Sequence, residues 1–536
     1  MKLIPEELKN RSEWAEKGIH TPAYDVEEVR RKTQEHPQWV HFGIGNIFRI
    51  FLGSAADELI EKGCSDRGII CAETFDFEVV DKVYRPHGDL ALCVTLLQDG
   101  TSVQRVIGSL CESIALRKQD EQAWQRMHQI FADPSLQMVS FTITEKGYAL
   151  RGADRKYFSF VQDDLNNGPQ KPAHAVSIIT SLLLTRFNAN RAPLALVSMD
   201  NVSHNGEILR NAVLEVAAAW KENGFVSEDF VAWLHDEDAV AFPWTMIDKI
   251  TPRPSESVRD MLEAEGVEDM DIVITDKRTY IAPFVNAEAP QYLVVEDHFP
   301  NGRPRLEEAG IYMTDRDTVN ACERMKVTVC LNPLHTALAP YGCALGYTRF
   351  SDVVRDPELY RLMERVGMQE GMAVVKDPGI LSPEAFIREC MEVRFPNEYI
   401  PDTPQRIVVD TSQMVAIRFG ETIKEYVQKD GTASSLVGIP LAIAGWLRYL
   451  LAVDENGKAY ELSPDPMNKE LQELLKDVRI GDPESVRDCL KPLLSNAHIF
   501  GIDLYEAGIG EKVEQMFKEE IASFGAVRTT LQKYLA

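Results

Sequence analysis

Two glycines after a buried-looking apolar run are the first residues of this 536-residue chain whose pattern can do chemistry. In WVHFGIGNIFR, residues 39–49, Gly43 and Gly45 fill the first two places of G-x-G-x-x-G, and Phe48 stands at the third. Gly43 allows a tight turn, and Gly45 lets backbone approach a pyrophosphate. A helix opening at Asn46, Ile47 and Phe48 offers unpaired N–H groups and a favourable dipole to the same phosphates. The same glycines also suit a purely steric strand-to-helix turn, so the motif alone is weak. A dinucleotide site further needs an acid at the end of the second strand to hold ribose hydroxyls. Glu73 is the first candidate and Asp76 the second, although both lie farther from Gly45 than the usual ~20 residues. An acid there repels a 2′-phosphate and favours NAD over NADP.

The elements that must position these residues follow from apolar patterning. The run at 39–45 reads as a buried strand and turn, 47–62 has helical spacing, and GIICAE at 68–73 reads as a second buried strand. Further strands are expected at 137–143 and 194–199, with a helix starting near Asn205. This is the order of a nucleotide-binding α/β unit, in which chemistry collects at the carboxyl ends of the strands. Two such ends are polar: Thr144-Glu145-Lys146 and Asp200-Asn201. The polar first forty residues are expected to wrap an edge of the fold. From about residue 311 onward helical patterns dominate. Pro, Gly and charge cluster in DHFPNGRPRLEEAG, residues 297–310, which places a domain boundary there and divides the chain into 1–300 and 301–536.

Four separated segments complete the pattern: TEKGY (144–148), SMDNVSHNG (198–206), FPWTMIDKITPRP (242–254) and ERMKVTVCLNPLH (323–335). Together with the glycine turn, and in this order, they resemble the mannitol dehydrogenase family, the polyol-specific long-chain dehydrogenases. The resemblance implies an α/β, Rossmann-type N-terminal domain, a mostly α-helical C-terminal domain, and hydride transfer between a nicotinamide ring and a polyol or sugar acid without a metal. Carried over, Lys326 takes the alcohol proton, Asn201 and Asn332 hydrogen-bond the developing alkoxide, and His335 orients the substrate. Asp248 supports the site, Glu323 matches the family's proton-path glutamate, and Glu145 positions Lys326 or a water.

The residue types suit that chemistry. A base must accept the hydroxyl proton as hydride leaves, and a free lysine, with a pKa of about 10.4, is protonated at neutral pH. Burial disfavours the charged form and makes the amine available. Two neutral amides stabilise an alkoxide without a metal. Taken singly, each residue has a plainer reading: a solvated lysine, a capping Asn201, an Asp248–Lys249 surface pair, a core histidine.

The spacing carries one departure. The family places lysine five residues before asparagine, whereas here Lys326 and Asn332 are six apart. On a regular helix at ~100° per residue, Lys326 would point about 180° from His335. The β-branched Val327-Thr328-Val329 are poor helix formers, and a π-bulge there absorbs one residue. Alternatively Pro333 starts a new helix with Asn332 as its cap. Either way, a break or bulge is expected between Val327 and Pro333.

The family divides into polyol dehydrogenases and sugar-acid reductases, and the latter need a cation for a carboxylate, ideally a bidentate arginine. Arg394 in VRFPNEYIPDT and Arg418 in AIRFGETIKEY are the candidates, each with a structural ion pair as its plain alternative. Met414 in DTSQM stands where many relatives carry lysine. WVHFGIGNIFR and CLNPLHTALAPYGC resemble the sugar-acid branch, which implies D-fructuronate and D-mannonate as the reacting pair. The net charge of -26, without a basic stripe, disfavours nucleic acid and anionic membranes. Nine cysteines without a Cys-x-x-Cys suit a reducing cytoplasm. The acidic run at 235–238 lacks a spaced histidine pair and reads as a solvated turn rather than a metal site. The small-molecule enzyme so described is expected as a monomer or homodimer.

Overall fold

Short apolar runs become the buried strands of a parallel sheet, as expected where helices cover both faces. The computed structural model describes residues 1–152 and 154–536. Six strands form the sheet: β1 (Trp39–Phe42), β2 (Ile69–Glu73), β3 (Leu110–Ala115), β4 (Met138–Phe141), β5 (Leu194–Ser198) and β6 (Val240–Ala241). Their order is β3-β2-β1-β4-β5-β6, with every pairing parallel. This is the doubly wound dinucleotide-binding order, which reverses between β1 and β4.

Alternate residues of each strand feed two cores, because side chains alternate across a sheet. Val40, Phe42, Leu194 and Leu196 pack on one face with Ile178 and Leu182 of the helix Ala175–Ala189. Trp39, Ala195 and Val197 pack on the other with Ala55 and Leu59 of the helix Ser54–Glu61. The polar N-terminal segment does form an edge. Its strand Ile19–His20 is the outermost of a four-stranded sheet with Ser102–Ile107, Ala91–Leu96 and Phe284–Glu288.

The chain divides into Met1–Asn320 and Ala321–Ala536, so the division falls after residue 320 rather than after 300. The cause is pairing. Tyr312–Thr314 extends a small sheet beside Tyr292–Glu296, and Asn301 donates to the carbonyls of Pro134 and Leu136, which ties 301–320 to the first unit.

The second unit is helical. Its helix Asn332–Ala344 packs against Gly438–Leu450, where a Cβ on Gly445 would lie 2.3 Å from Tyr341 Cζ. Tyr341 Oη stands 2.7 Å from Leu441 O and 2.5 Å from Glu520 Oε1. The hydroxyl has one proton and the carbonyl can only accept, so Glu520 must donate, and to donate it must be neutral. Burial pushes its carboxyl from 4.5 up to about 8, opposed by Arg448 and reinforced by Glu455 and Glu519. The unfolded chain therefore ionises this group first. Its favourable contribution is fully present below about pH 4.5, declines as pH rises from there, and is lost by about pH 8. Glu520→Gln keeps a donor and removes the ionisation. It is expected to stabilise the protein by an amount on the order of a few kcal/mol at pH 8, and by much less near pH 5. Thermal unfolding of both proteins across this range checks it. An effect independent of pH would contradict a neutral Glu520.

Candidate active site

In the first unit, a one-way hydrogen-bond chain holds the glycine turn. Trp39 Nε1 donates to Ser140 Oγ at 2.7 Å. Ser140 Oγ lies 2.6 Å from His41 Nδ1, and His41 Nε2 lies 2.9 Å from Thr142 Oγ1. Thr142 Oγ1 donates to Gly43 O at 2.7 Å. Proton counting runs it in one direction: Thr142 spends its proton on Gly43, so His41 carries hydrogen on Nε2 and accepts from Ser140 at Nδ1. His41 must be neutral for this, and burial pushes its imidazole down to about 3. The ring also stacks on Phe48, with centroids 4.0 Å apart, so the residue at the third glycine place packs as core.

The two glycines have different tasks. Gly43 has φ +88°, and a Cβ there would meet Thr142 O at 2.2 Å. At Gly45 a Cβ would meet nothing within 4 Å. Gly43 is thus required by the fold, whereas the space beside Gly45 is left open, as close approach of a pyrophosphate requires. Gly43→Ala should cost about 1–3 kcal/mol from its backbone conformation alone, with the clash added. Gly45→Ala should leave thermal stability within about 0.5 kcal/mol while weakening NADH binding at least tenfold. Paired melting and NADH fluorescence titrations check this, and equal NADH affinity in the Gly45 variant would deny phosphate approach there.

Beyond the turn, the helix runs as a π-helix over Phe48–Gly53. Arg49 is buried and donates to Ala282 O and to Asn46 Oδ1, so the Asn46 side chain serves Arg49, and Asn46 and Ile47 have their backbone amides to offer a phosphate. At the end of β2, Glu73 Oε1 accepts from the amides of Thr74, Phe75 and Asp76 at 2.9, 2.8 and 3.2 Å. Burial raises the Glu73 carboxyl, against the pull of those amides. Asp76 Oδ2 accepts from Thr275 Oγ1 at 2.6 Å, while its buried Oδ1 has no partner among the described residues. Each acid thus has one oxygen outside these bonds, Glu73 Oε2 and the buried Asp76 Oδ1, that could accept from a ribose hydroxyl. An open cradle, helix amides and an orphaned carboxylate oxygen together fit a dinucleotide.

The ends of β4 and β5 are clamped together by Asp200, an anchor the sequence reading did not assign. Its carboxylate accepts from the amides of Ile143 and Thr144 at 3.0 Å each, and from Tyr148 Oη at 2.6 Å. Those bonds hold Thr144 at φ +64°. The side chain of the next residue, Asn201, is exposed at the start of a tight loop that Asn205 closes. Asn205 Nδ2 donates to Asp200 O, Thr245 O and Thr245 Oγ1, and its Oδ1 accepts from Thr245 N. Glu145 is exposed on the helix Thr144–Tyr148. Asp248 is buried at the end of the strand Thr245–Asp248, and Lys249 donates to Glu288 O, so these two are not a solvent-exposed pair.

In the second unit, the expected irregularity is present. Residues Lys326–Cys330 form a π-helix, and the Leu331 amide donates to Lys326 O at 3.1 Å, five residues back. Leu331 then leaves helical geometry at φ -128°, ψ -65°, and Asn332–Ala344 begins. The angle count of a regular helix therefore does not carry from Lys326 to His335. The bulge, not a capping asparagine, is what absorbs the residue: Asn332 makes no side-chain cap, and its buried Oδ1 has no partner among the described residues. Thr422 Oγ1 donates to Thr328 O, satisfying one carbonyl the widened turn leaves free. Lys326 is 1% exposed, and Glu323, one turn earlier, is half-buried.

Around Asn332 the unit places aromatic rings and cations. His335 lies against Phe395 and Phe350, with centroids 4.5 and 5.0 Å away. Burial pushes its imidazole down to about 3, Asp402 opposes this, and Arg418, Arg394 and Arg406 add to it. Arg418 Nη1 donates to Thr336 Oγ1 at 2.7 Å, and no carboxylate pairs with it among the described residues. Burial lowers its guanidinium to about 10. Arg394 is buried, with Nη1 3.8 Å from Cys390 Sγ. Lys326, Arg394 and Arg418 each sit in a separate π-helical stretch, Lys326–Cys330, Cys390–Arg394 and Ala416–Gly420. Insertions of this kind favour functional positions. Only the first was foreseen; Thr336 and Phe395 lie in segments that carry the family resemblance but were given no role, and Phe350 carried no local signal.

The acidic run at 235–238 is a turn in which Asp236 Oδ1 accepts from Asp238 N, and Glu237 faces Arg210 and Arg316. Among the described residues no three His, Cys, Asp or Glu side chains converge to hold a metal ion, no helix is long and apolar enough to cross a membrane, and all nine cysteines are free.

Comparison with known proteins agrees with this architecture. Residues 37–308 match the mannitol dehydrogenase Rossmann domain, and residues 318–521 the mannitol dehydrogenase C-terminal domain. A D-mannonate oxidoreductase of Thermotoga maritima is 49% identical over 99% of both chains. Among solved structures, a D-sorbitol dehydrogenase superposes with a TM-score of 0.79 at 25% identity, covering 96% of this chain and 97% of that one. The Pseudomonas fluorescens mannitol 2-dehydrogenase, solved with NAD and D-mannitol, gives a TM-score of 0.72 at 25% identity, covering 100% and 99%. Fold, glycine turn and both halves of the chain thus lead to one conclusion: the chain belongs to the mannitol dehydrogenase family, oxidoreductases that act on CH–OH groups.

Proposed function

We propose that this chain is an NAD-dependent, metal-free sugar-acid oxidoreductase of the cytoplasm that interconverts D-fructuronate and D-mannonate, with Lys326 as the general acid and base. The observation that carries the substrate class is Arg418, a partly buried guanidinium bonded to a hydroxyl and, among the described residues, to no carboxylate. A guanidinium left without an acid partner beside His335 suits an anionic ligand. The relative named D-mannonate oxidoreductase, similar over nearly the whole chain, supports the same class.

When bound, the nicotinamide accepts or supplies the hydride. In oxidation Lys326 Nζ takes the hydroxyl proton, and in reduction it returns it. Asn332 holds the alkoxide oxygen through its Nδ2, which donates while the unpartnered Oδ1 can accept a neighbouring substrate hydroxyl. Glu323, one helical turn from Lys326 and half-buried, passes the proton toward solvent. His335, neutral at physiological pH, orients the substrate by hydrogen bonds rather than by charge. Asn201 and Asp248 are assigned to the substrate, and Glu145 to the proton path, on the family resemblance alone. Asp76, with Glu73 behind it, favours NAD over NADP by repelling a 2′-phosphate.

Parallel turnover of fructuronate, tagaturonate and fructose with NADH and NADPH tests the reading. Fructuronate with NADH should give the highest kcat/KM, and strong chelators should not lower it. Preference for fructose would move the chain to the polyol branch, and NADH binding without turnover of any of these would make it a binding protein.

A further inference from the structure

The loop that follows β2 leaves Phe75 65% exposed. A single exposed phenylalanine is ordinary, but three features set this one apart. It stands just past the carboxyl end of the strand whose loop, in this strand order, holds the adenosine half of a dinucleotide. Lys277 Nζ lies over its ring, 5.0 Å from the centroid, so one face carries a cation and the ring is held in place. The hairpin of Val273–Ile274 and Tyr280–Ile281 that carries Lys277 is itself tied to the β2 loop. Thr275 Oγ1 donates to Asp76 Oδ2 and the Asp276 amide to Glu78 Oε2, both at 2.6 Å. The Phe75 amide is fixed in turn by Glu73 Oε1 at 2.8 Å. The result is a preorganised, exposed aromatic ring one residue before Asp76, whose buried Oδ1 has no partner among the described residues.

We propose that Phe75 is the platform on which the adenine of the dinucleotide stacks, with Lys277 backing the ring and Asp76 Oδ1 accepting from a ribose hydroxyl. The inference rests on the dinucleotide reading above and adds to it a named adenosine-end grip. A cation on one face strengthens the ring's hold there and leaves the other face for the base. Base–aromatic stacking of this kind needs no hydrogen-bond readout, so the platform supplies affinity, while the acids behind it discriminate at the 2′ position.

The test measures binding rather than turnover. NADH is titrated by fluorescence, and ADP-ribose, which keeps the adenosine end and lacks nicotinamide, by calorimetry, against wild type, Phe75→Ala and Phe75→Tyr. Phe75→Ala should weaken both ligands about tenfold and in the same ratio. Phe75→Tyr should restore both to within about twofold. Melting temperatures should not differ, because the ring is mostly outside the core. NADH and ADP-ribose affinities unchanged in Phe75→Ala would overturn the platform while leaving the dinucleotide reading intact. So would a loss confined to NADH. Wild type that binds neither ligand would remove the dinucleotide reading and the platform with it.

Discussion

Lys326→Ala is expected to lower kcat for sugar-acid turnover by about 10²–10⁴-fold at neutral pH, the usual contribution of a positioned general acid or base. Lys326 is buried at the first position of a π-helical turn, followed by a break at Leu331. A lysine retained in such a place is out of keeping with a solvated surface charge, since lysine is almost never fully buried without a purpose or a partner. The loss should fall on kcat rather than on the affinity for NADH, because the residue is assigned to proton transfer and not to cofactor binding. Two further readouts separate a chemical role from a packing role. The limb of the pH profile that reports the lysine should disappear in the variant, and small primary amines added to Lys326→Ala should recover part of kcat. Lys326→Met, which keeps the apolar stem, should be as inactive as alanine but closer to wild type in melting temperature. Turnover within threefold of wild type in both variants would remove Lys326 from the chemistry.

How much of this was legible in the sequence depends on range. The parallel sheet was legible because a strand buried on both faces is a continuous apolar run, and β1, β2, β4 and β5 are such runs. The irregularity after Lys326 was legible because helix geometry is arithmetic: an extra residue between two groups that must share a face has to be absorbed somewhere. What depends on distant partners was not. The His41 chain joins residues about a hundred positions apart, and the Asp200 clamp joins ends of two strands. Neither leaves a local pattern. The division after Asn320 was displaced from the Pro- and Gly-rich stretch because Tyr312–Thr314 finds its strand partner in the first unit. The π-helical stretch Cys390–Arg394 contains no glycine or proline that marks it, and Gly420 at the end of Ala416–Gly420 does not by itself tell a bulge from a simple helix end, so the side chains of Arg394 and Arg418 could be named but not placed. Glu73 and Asp76 were both legible as acids. Which oxygen is already spent is a matter of three backbone amides that spacing does not show.

Arg418→Met should lower kcat/KM for the sugar acid by about two to three orders of magnitude, through KM, while leaving turnover of the matching neutral polyol within about threefold. Losing a charge-assisted, desolvated pair with a carboxylate typically costs about 2–5 kcal/mol, and methionine keeps much of the stem that packs in the Ala416–Gly420 turn. The contrast with Arg186 shows why the site is read as unfinished. Arg186, fully buried and equally without an acid partner among the described residues, donates to five backbone carbonyls, those of Phe131, Asp133, Leu136, Ala192 and Pro193, and so serves as a structural clasp. Arg418 donates to one hydroxyl, that of Thr336. A guanidinium pushed down to about 10 by burial and bonded this sparsely favours an arriving anion. It also carries a desolvation cost that the folded protein does not recover on its own, so Arg418→Met should melt at or above the wild-type temperature. Arg418→Lys keeps the charge but not the planar fork, and should fall between the two in sugar-acid kcat/KM. Thr336→Val serves as the positioning control. Without its acceptor the guanidinium loses its fixed direction, so KM for the sugar acid should rise by about tenfold and the polyol should again be spared. Equal losses for acid and polyol in Arg418→Met would make Arg418 a helix-packing residue of the second unit. The carboxylate would then fall to Arg394, whose own variant should show the selective loss instead.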